Sequence, residues 1–218
     1  MPRLLFEKTG RAVWISHLDL MRLFQRAFAR AGLPLTHTQG YNPRPSVSIA
    51  LPMPVGMKSV CELLDFSLEG EMPDCGEIPA RLNEKLIDGV RVRVCYDGGQ
   101  KLGNLTELAC RVTLFYDSGV PQGAADAITA LFAREHLPVL RRTKRGDTET
   151  DIRAGLRSMT VTEAGRTIVL AARVCCREPS LSPLLLPAAV ERYLPELAPD
   201  FAKCSRDELF DAAGNIFR

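Results

Sequence analysis

Apolar side chains recur at helical spacing between residues 16 and 34, which is a clear periodic signal in the chain. Ser16 is a suitable N-cap, and Asp19, three residues later, resembles a capping box and suits the positive end of the helix dipole. Gly32 and Pro34 are typical stop signals. The pattern predicts a helix that buries one face, formed by Leu20, Phe24, Ala27, Phe28 and Ala31.

Short apolar runs surround this helix in the first half of the chain. Residues 3–8 and 12–15 are expected to be extended around a turn at Thr9-Gly10, and residues 35–56 to form two extended pieces around a turn at 41–43. The next predicted elements are a strand at 61–68, a helix at 78–87 and a strand at 90–96. This order predicts an α+β fold, namely a ferredoxin-like βαββαβ unit with its helices on one face of an antiparallel sheet.

The second half repeats the order after a polar linker at 97–101. Its predicted elements are strands or extended pieces at 109–116, 139–143, 158–163, 167–175 and 201–205, with helices at 124–134 and 183–193. The interpretation is a pair of ferredoxin-like units, residues 1–98 and 99–218. A single mixed sheet with an appended hairpin is the alternative.

Composition and charge narrow the class of protein. Hydrophobic residues make up 46% and charged residues 25% of the 218, which is typical of a globular chain and not of a disordered one. The net charge of +2 hides an asymmetry, because residues 1–50 hold seven Lys or Arg against only Glu7 and Asp19. A basic first segment favours an anionic partner.

Targeting and metal-binding patterns are not visible. The first residues lack the apolar core of a signal peptide, and the apolar stretches are too short for a membrane span, so a cytoplasmic protein is expected. The seven cysteines show neither CxxC nor CxxxCxxC spacing. We expect them to be reduced, mostly buried hydrophobes, and predict no metal and no cofactor.

A first group of candidate RNA-binding residues lies in the basic segment. Its members offer guanidinium, ammonium, amide and aromatic groups suited to phosphates and bases, and they are Lys8, Arg11, Arg22, Arg26, Arg30, Gln39, Tyr41, Asn42 and Arg44. The alternative is a solvated helix face beside a conformationally demanding loop. In either case Ser16, Asp19, Gly40 and Pro43 are expected to have structural roles.

A second basic group lies at 141–145, where four of five residues are cationic and none is acidic. The candidate nucleic-acid contacts here are Arg141, Arg142, Lys144 and Arg145, followed by Arg153. The alternative is the solvated tip of a hairpin.

Catalytic signals are weak. No hydrolase, P-loop, zinc-protease or dinucleotide motif occurs in a matching context. His17 follows the helix N-cap, where the dipole favours a neutral imidazole that would suit a general base. His17 is therefore the single catalytic candidate, set against a cap-adjacent histidine with no chemistry.

A recurrent set of residues is present, namely Lys8, Gly10, Ser16, His17, Leu18, Asp19, Arg22, Arg26, Gln39, Gly40, Asn42, Pro43, Pro45, Gly56, Glu62 and Asp65, and in a later segment Lys144, Asp151, Ile152 and Arg153. In these residues the chain resembles the bacterial radical-SAM-linked family, a domain of unknown function. The resemblance covers most of the chain and is specific in its first third. Arg44 departs from the His expected in many relatives. The resemblance implies a radical SAM enzyme as partner and, by association, a role in RNA metabolism.

Three functions follow as hypotheses. The first is a noncatalytic protein that binds RNA and presents it to a radical SAM enzyme. The second is a metal-independent RNA-processing or modifying enzyme that uses His17. The third is a protein-interaction scaffold that docks through the Pro-rich segment 51–57, and this hypothesis expects an exposed apolar patch beside that segment.

Overall fold

A computed structural model describes residues 1–143 and 146–218, and divides the chain into two compact units. The first unit contains Met1–Leu102 with Arg218, and the second contains Gly103–Phe217. The described residues form four α-helices and mostly antiparallel sheet, so the α+β class expected from the sequence is confirmed.

The first unit begins with a strand, a one-turn helix and a long helix. Its elements are β1 (Arg3–Lys8), a 3₁₀ helix (Gly10–Trp14), α1 (His17–Arg30), β2 (Val47–Ile49), β3 (Lys58–Phe66), α2 (Ile78–Asn83) and β4 (Val90–Tyr96). The strands are neighbours in the order β4-β1-β3-β2, and each pair is antiparallel.

The core of the first unit lies between this sheet and α1. The helix buries Leu20, Phe24, Ala27 and Phe28, four of the five positions that the periodicity indicates, while Ala31 is partly buried. The Phe24 ring meets Phe6 of β1 edge-on at 4.7 Å, and Phe28 meets Phe66 of β3 at 4.9 Å. Burying each such ring contributes about 1.5–3 kcal/mol, so the helix is fixed on the sheet mainly by its aromatic residues.

The second unit repeats this pattern of neighbours. Its elements are β5 (Leu105–Phe115), α3 (Ala124–Phe132), β6 (Pro138–Thr143), β7 (Gly146–Asp151), β8 (Leu156–Ala164), β9 (Thr167–Cys175), α4 (Leu185–Tyr193) and β10 (Phe201–Asp211). The order in its main sheet is β10-β5-β9-β8, while β6 and β7 pair with each other in a two-stranded sheet. Buried Ile128 of α3 and Leu186 of α4 contribute to its core.

Two elements differ from the sequence-based expectation. Of the residues 12–15 expected to be extended, only Ile15 is, because Gly10 turns the chain at φ +53° and a 3₁₀ helix then runs to Trp14. The helix expected at 78–87 ends at Asn83. The Asn83 amide instead bonds both backbone groups of Val92 in β4, at 2.8 and 2.9 Å. Asparagine competes in this way with the helical backbone, so the chain turns early toward β4.

Strand limits also shift. β3 begins at Lys58 rather than at Cys61, and β10 extends to Asp211 rather than ending at Ser205. The sequence analysis contains no strand corresponding to β7, whose residues Gly146–Asp151 are almost all polar. Such a strand lacks the apolar alternation on which sequence-based assignment depends.

Candidate nucleic-acid interface

The start of α1 is organised by Ser16 and Asp19. The Ser16 hydroxyl accepts a hydrogen bond from the Asp19 backbone N–H at 3.2 Å and donates one to Asp19 Oδ2 at 2.7 Å. Arg22, one turn later, donates to Asp19 Oδ1 at 3.0 Å. The Ser16 hydrogen bond and then the Arg22 guanidinium lower the pKa of Asp19 below its ordinary value. Asp19 is therefore a fixed anion that orients Arg22 on the helix surface.

An exposed row of arginines continues along α1. Arg22, Arg26 and Arg30 recur every fourth residue and are all exposed. Among the residues that the structure describes, only Asp19 is ion-paired with this row, and it holds Arg22. Arg26 and Arg30 form no salt bridge with a described residue, although Arg26 is close enough to Asp19 to lower the pKa of that carboxyl slightly further. Arg11, on the preceding 3₁₀ helix, is exposed as well.

Lys8, which the sequence places with these exposed cations, is fully buried. Its ammonium donates to the backbone carbonyl of Ile15 at 2.7 Å. Because Ile15 lies between the 3₁₀ helix and α1, this bond ties β1 to the start of α1. Lys8 is thus not available to an external phosphate. Its role is to hold β1 against the residue that precedes α1.

A buried carboxylate, Glu62, lies near Lys8 in the sheet. Glu62 of β3 is the register partner of Phe6, and Lys8 follows Phe6 by two residues on the same face of β1. Glu62 is 1% exposed. Burying charged groups costs desolvation free energy unless groups of opposite charge attract each other. The presence of both a buried ammonium and a buried carboxylate on this face therefore sets it apart from an ordinary apolar sheet.

The loop at 37–45 is closed at its base by backbone pairing between its two ends. His37 bridges Pro45, and Thr38 N donates to the Arg44 carbonyl at 2.8 Å, while Arg44 N donates to the Thr38 hydroxyl at 3.0 Å. The tip consists of the exposed residues Gln39, Gly40, Tyr41, Asn42 and Pro43. Tyr41 is fully exposed to solvent. Gly40 has φ +142°, which only glycine adopts easily.

His17, the catalytic candidate, is the first residue of α1 and is half-buried. The carboxylate two residues away is not part of a buried network, because Asp19 is exposed and bonds Ser16 and Arg22. His37 lies 3.7 Å from Glu69, and His136 lies 2.9 Å from Asp151.

The second basic group lies on a hairpin whose two strands carry opposite charge. Arg141 of β6 is exposed and pairs in register with Thr148, while the backbone of Arg142 pairs with Asp147. Lys144 and Arg145 fall outside the described residues. β7 contributes the exposed acids Asp147 and Glu149. The hairpin is therefore of mixed charge, unlike the arginine row of α1.

Asp151 at the end of β7 fixes the following turn. Its Oδ1 accepts from the backbone N–H groups of Leu137 and Arg153, and its Oδ2 lies 2.9 Å from His136 Nδ1. The Leu137 backbone hydrogen bond, and next the His136 bond, lower the pKa of Asp151. Ile152 is buried, and Arg153 donates to the Leu156 carbonyl at 2.9 Å. The geometry gives Asp151 and Arg153 roles within the fold.

The sequence analysis missed Trp14. This residue ends the 3₁₀ helix and is 70% exposed, and Leu18 in the first turn of α1 is 67% exposed. Val55, next to Gly56, is also exposed. A Cβ placed on Gly56 would lie 3.5 Å from Trp14 Cζ3, so the loop approaches the edge of the indole. Trp14 is the only tryptophan in the sequence, and this signal could have singled it out.

All seven cysteines are free thiols, and five of them are buried. Burial raises the pKa of the Cys204 thiol to about 12 and that of Cys176 to about 11. These two thiols stay protonated at neutral pH and are poor nucleophiles. In residues 1–143 and 146–218, no group of three or more His, Cys, Asp or Glu side chains is arranged to hold a metal ion. No helix in the same ranges is long and apolar enough to cross a bilayer.

The fold and the site describe an α+β protein with a basic first helix. Over residues 2–183 the chain matches the family described as "Uncharacterized protein conserved in bacteria (DUF2344)", and it belongs to that family. No curated protein matches the chain.

Solved structures give distant similarities. One is a chain of a Cbf5-Nop10-Gar1 complex, at 10% identity and a TM-score of 0.48, with 95% of this chain and 48% of that chain covered. The present chain thus spans about half the length of that relative. Another is an unknown protein from Galdieria sulphuraria, at 13% identity and a TM-score of 0.27, with 94% and 96% covered. At these values neither similarity bears on function.

Proposed function

We propose that the protein binds RNA through the exposed face of α1 and presents it, without catalysing a reaction itself, to a radical SAM enzyme in the cytoplasm. The observation that carries the RNA-binding part is the row Arg22, Arg26 and Arg30, in which two of the three guanidinium groups have no described acidic partner. Successive members lie about 6 Å apart along the helix axis. The phosphates of a nucleic acid can pair with these guanidinium groups, and the release of counterions from the nucleic acid drives binding.

The loop at 37–45 supplies a second kind of contact. It projects Tyr41 and the polar side chains of Gln39 and Asn42 into solvent. Aromatic rings and amides are the groups that recognise unstacked bases. The radical SAM partner rests on the resemblance of the first segment to the radical-SAM-linked family.

A finer fold assignment is proposed alongside this function. We infer that each unit is ferredoxin-like, with the β6–β7 hairpin inserted between α3 and β8 of the second. Each unit contains the order strand, helix, strand, strand, helix, strand once the hairpin is set aside, and the two neighbour orders correspond. A fold of this kind hosts many functions, so function is argued from the arginines and not from the fold.

RNA binding is tested by fluorescence anisotropy with labelled single-stranded and structured RNA across a salt series. The informative variant is Arg26→Glu/Arg30→Glu, because these arginines make no ion pair with a described residue. Arg91→Glu/Lys101→Glu is the matched control, since both residues are exposed, lie outside α1 and give the same change of net charge.

We expect the α1 variant to weaken binding at least about tenfold and to reduce the salt slope by about 1.4, which is two contacts at 0.7 each for single strands. The control should retain most of the affinity. Equal affinities for wild type and the α1 variant at every salt concentration would contradict the proposal. Cleavage or modification of RNA by the protein alone would favour the enzymatic hypothesis and its candidate base His17.

A protein-interaction scaffold remains a second candidate because of one observation. Trp14 is an exposed apolar residue beside the segment 51–57, where the scaffold hypothesis expects a patch, and Val55 within the segment is exposed as well. The experiment is co-purification with the radical SAM enzyme, comparing wild type with Val55→Asp. Retention by both proteins would exclude Val55 from such an interface.

A further inference from the structure

The largest exposed aromatic side chain lies directly before the arginine row. Trp14 is 70% exposed at the end of the 3₁₀ helix, and α1 begins three residues later. Leaving an indole in water forfeits the stabilisation that its burial would provide. Exposed apolar surface rimmed by polar groups is typical of a binding surface.

The backbone supports the position of this indole. Gly56 N donates to the Val13 carbonyl at 2.8 Å, which holds the 51–57 segment against the residue before Trp14. Gly56 has φ +86°, and a Cβ there would reach within 3.5 Å of Trp14 Cζ3. The loop thus approaches one edge of the ring, and most of the residue stays accessible.

One side of α1 carries an exposed leucine followed by two arginines. Leu18, Arg22 and Arg26 follow one another at four-residue spacing and therefore lie on one side of the helix. A depression of about 350 Å³ is lined by Ile15, Asp19, Arg22, Leu23 and Arg26. Asp19 is the single acid among these lining residues against two arginines, so the lining carries a net positive charge.

We infer that Trp14 is a stacking platform for an unpaired RNA base, and that the flanking phosphates of the same strand bind at Arg22 and Arg26. This inference rests on the proposed RNA-binding function and names the form of RNA. Each nucleotide offers both a π-face and a phosphate, which matches an aromatic residue followed by cations. A duplex covers the faces of its bases by stacking and pairing, so it would engage the arginines alone.

An apolar protein segment is the other conceivable occupant of Trp14. It would need an apolar side chain over the indole and acidic groups opposite Arg22 and Arg26. A single RNA strand provides both features at every step, and the observations therefore favour RNA.

The test uses Trp14 as its own reporter, since the chain holds one tryptophan. Intrinsic fluorescence is recorded while the wild-type protein is titrated with a 12-nucleotide oligouridylate, and separately with a 12-base-pair RNA duplex. Anisotropy of labelled oligouridylate then compares wild type, Trp14→Ala and Trp14→Phe. Ile87→Ala is the matched control, because Ile87 is an exposed apolar residue of the same unit, 46% exposed.

We expect oligouridylate to quench the fluorescence and the duplex to leave it nearly unchanged. Trp14→Ala should weaken oligouridylate binding about 5- to 100-fold, as the loss of one base–aromatic stack predicts. Trp14→Phe should retain most of the affinity, and Ile87→Ala should match wild type. The wild-type fluorescence titration decides the matter even if the Ala variant does not fold, because quenching by oligouridylate and not by the duplex is expected only if the indole contacts an unpaired base.

Two outcomes would overturn the inference and are distinguishable. If RNA binds with a steep salt slope while the fluorescence stays unchanged and Trp14→Phe and Trp14→Ala bind normally, the stacking role is wrong and the arginine row still binds RNA. If neither RNA binds at low salt, the stacking role and the proposed function both fail. The indole would then belong to the protein-docking surface of the second candidate.

Discussion

The two units order their strands alike but distribute polar groups differently. The sheet order is β4-β1-β3-β2 in the first and β10-β5-β9-β8 in the second. Among the described residues, the buried polar side chains of the first unit are Arg3, Lys8, Ser59, Glu62 and Asp65, whereas the second buries Arg206. The same order of strands is thus compatible with different buried side chains. The first unit buries more charged groups and therefore has the larger desolvation cost.

The first helix of each unit shows the same contrast. α1 has 14 residues, a serine N-cap and an exposed arginine row, while α3 has nine residues and begins after Gly123, which provides no side-chain cap. The exposed arginine row and most of the buried charged side chains therefore occur in the same unit. Charged groups that cost stability are retained where they serve recognition or specificity, which directs functional experiments to the first unit.

Removing the buried carboxylate Asp65 should give the largest change. Arg3 is 3% exposed and forms a two-pronged ion pair with Asp65, at 2.5 and 2.9 Å. Asp65→Ala leaves the guanidinium buried without this partner, so we expect a loss of about 3–5 kcal/mol in the free energy of unfolding. Urea denaturation monitored by circular dichroism measures this loss.

The control is the double variant Arg3→Met/Asp65→Leu, which replaces both charges by apolar side chains. It should recover much of the loss, because no charge is left buried at this site. A single variant within about 0.5 kcal/mol of wild type, the range of ordinary surface substitutions, would show that the ion pair contributes little and would weaken the contrast between the units.

A smaller effect is expected for Asp151 of the second unit. Asp151→Ala removes the acceptor for the Leu137 and Arg153 backbone N–H groups, and the loss of such a cap costs about 1–2 kcal/mol at pH 7. Asp151→Asn keeps one oxygen acceptor and should lose less. Denaturation of both variants at pH 7 checks this order.

The effect of Asp151 should also depend on pH. The pKa of this carboxyl is lowered in the folded protein, so its ionised form stabilises the fold above the unfolded pKa, near 3.8. This contribution is lost as the pH falls through the lower folded pKa. The stability difference between wild type and Asp151→Ala should therefore shrink between pH 5 and pH 2. A difference that is independent of pH would show that ionisation is irrelevant.

The smallest change is expected at the cap of α1. Ser16→Ala removes the side-chain acceptor for Asp19 N and should cost about 1 kcal/mol, whereas Ser16→Gly should cost only a few tenths. The comparison is informative because α3 already begins after a glycine. Thermal unfolding of the two variants measures the difference, and equal destabilisation by Ala and Gly would argue against a capping role.

Local features were predictable from the sequence. The apolar spacing from Leu20 to Phe28 and the pair Ser16 and Asp19 act within a few residues, so the helix and its first turn follow from nearby chemistry. The start of α3 at Ala124 and the extent of β9, Thr167–Cys175, also agree with the expected limits. Their patterns of apolar residues are unambiguous over the whole element.

Long-range features were not predictable in the same way. The burial of Lys8 depends on the pairing of β1 with β3, whose residues lie about fifty positions away in the chain. Arg3 and Asp65 are 62 residues apart, and Asn83 ends α2 because it bonds Val92 of β4. The exposure of Trp14 follows from the 3₁₀ helix that replaces the expected extended residues. Side-chain burial of this kind is set by tertiary packing, which the periodicity of apolar residues along the chain does not report.

The β6–β7 hairpin has a consequence for how this protein could diversify. Its strands pair with each other, and among the described contacts it meets α4 through the Tyr193 hydroxyl on the Pro138 carbonyl and through Arg192 on Glu149. Changes of length or charge at its tip therefore leave the register of the main sheet untouched. Insertions or deletions engineered into this hairpin are therefore expected to be tolerated without a change in the main sheet.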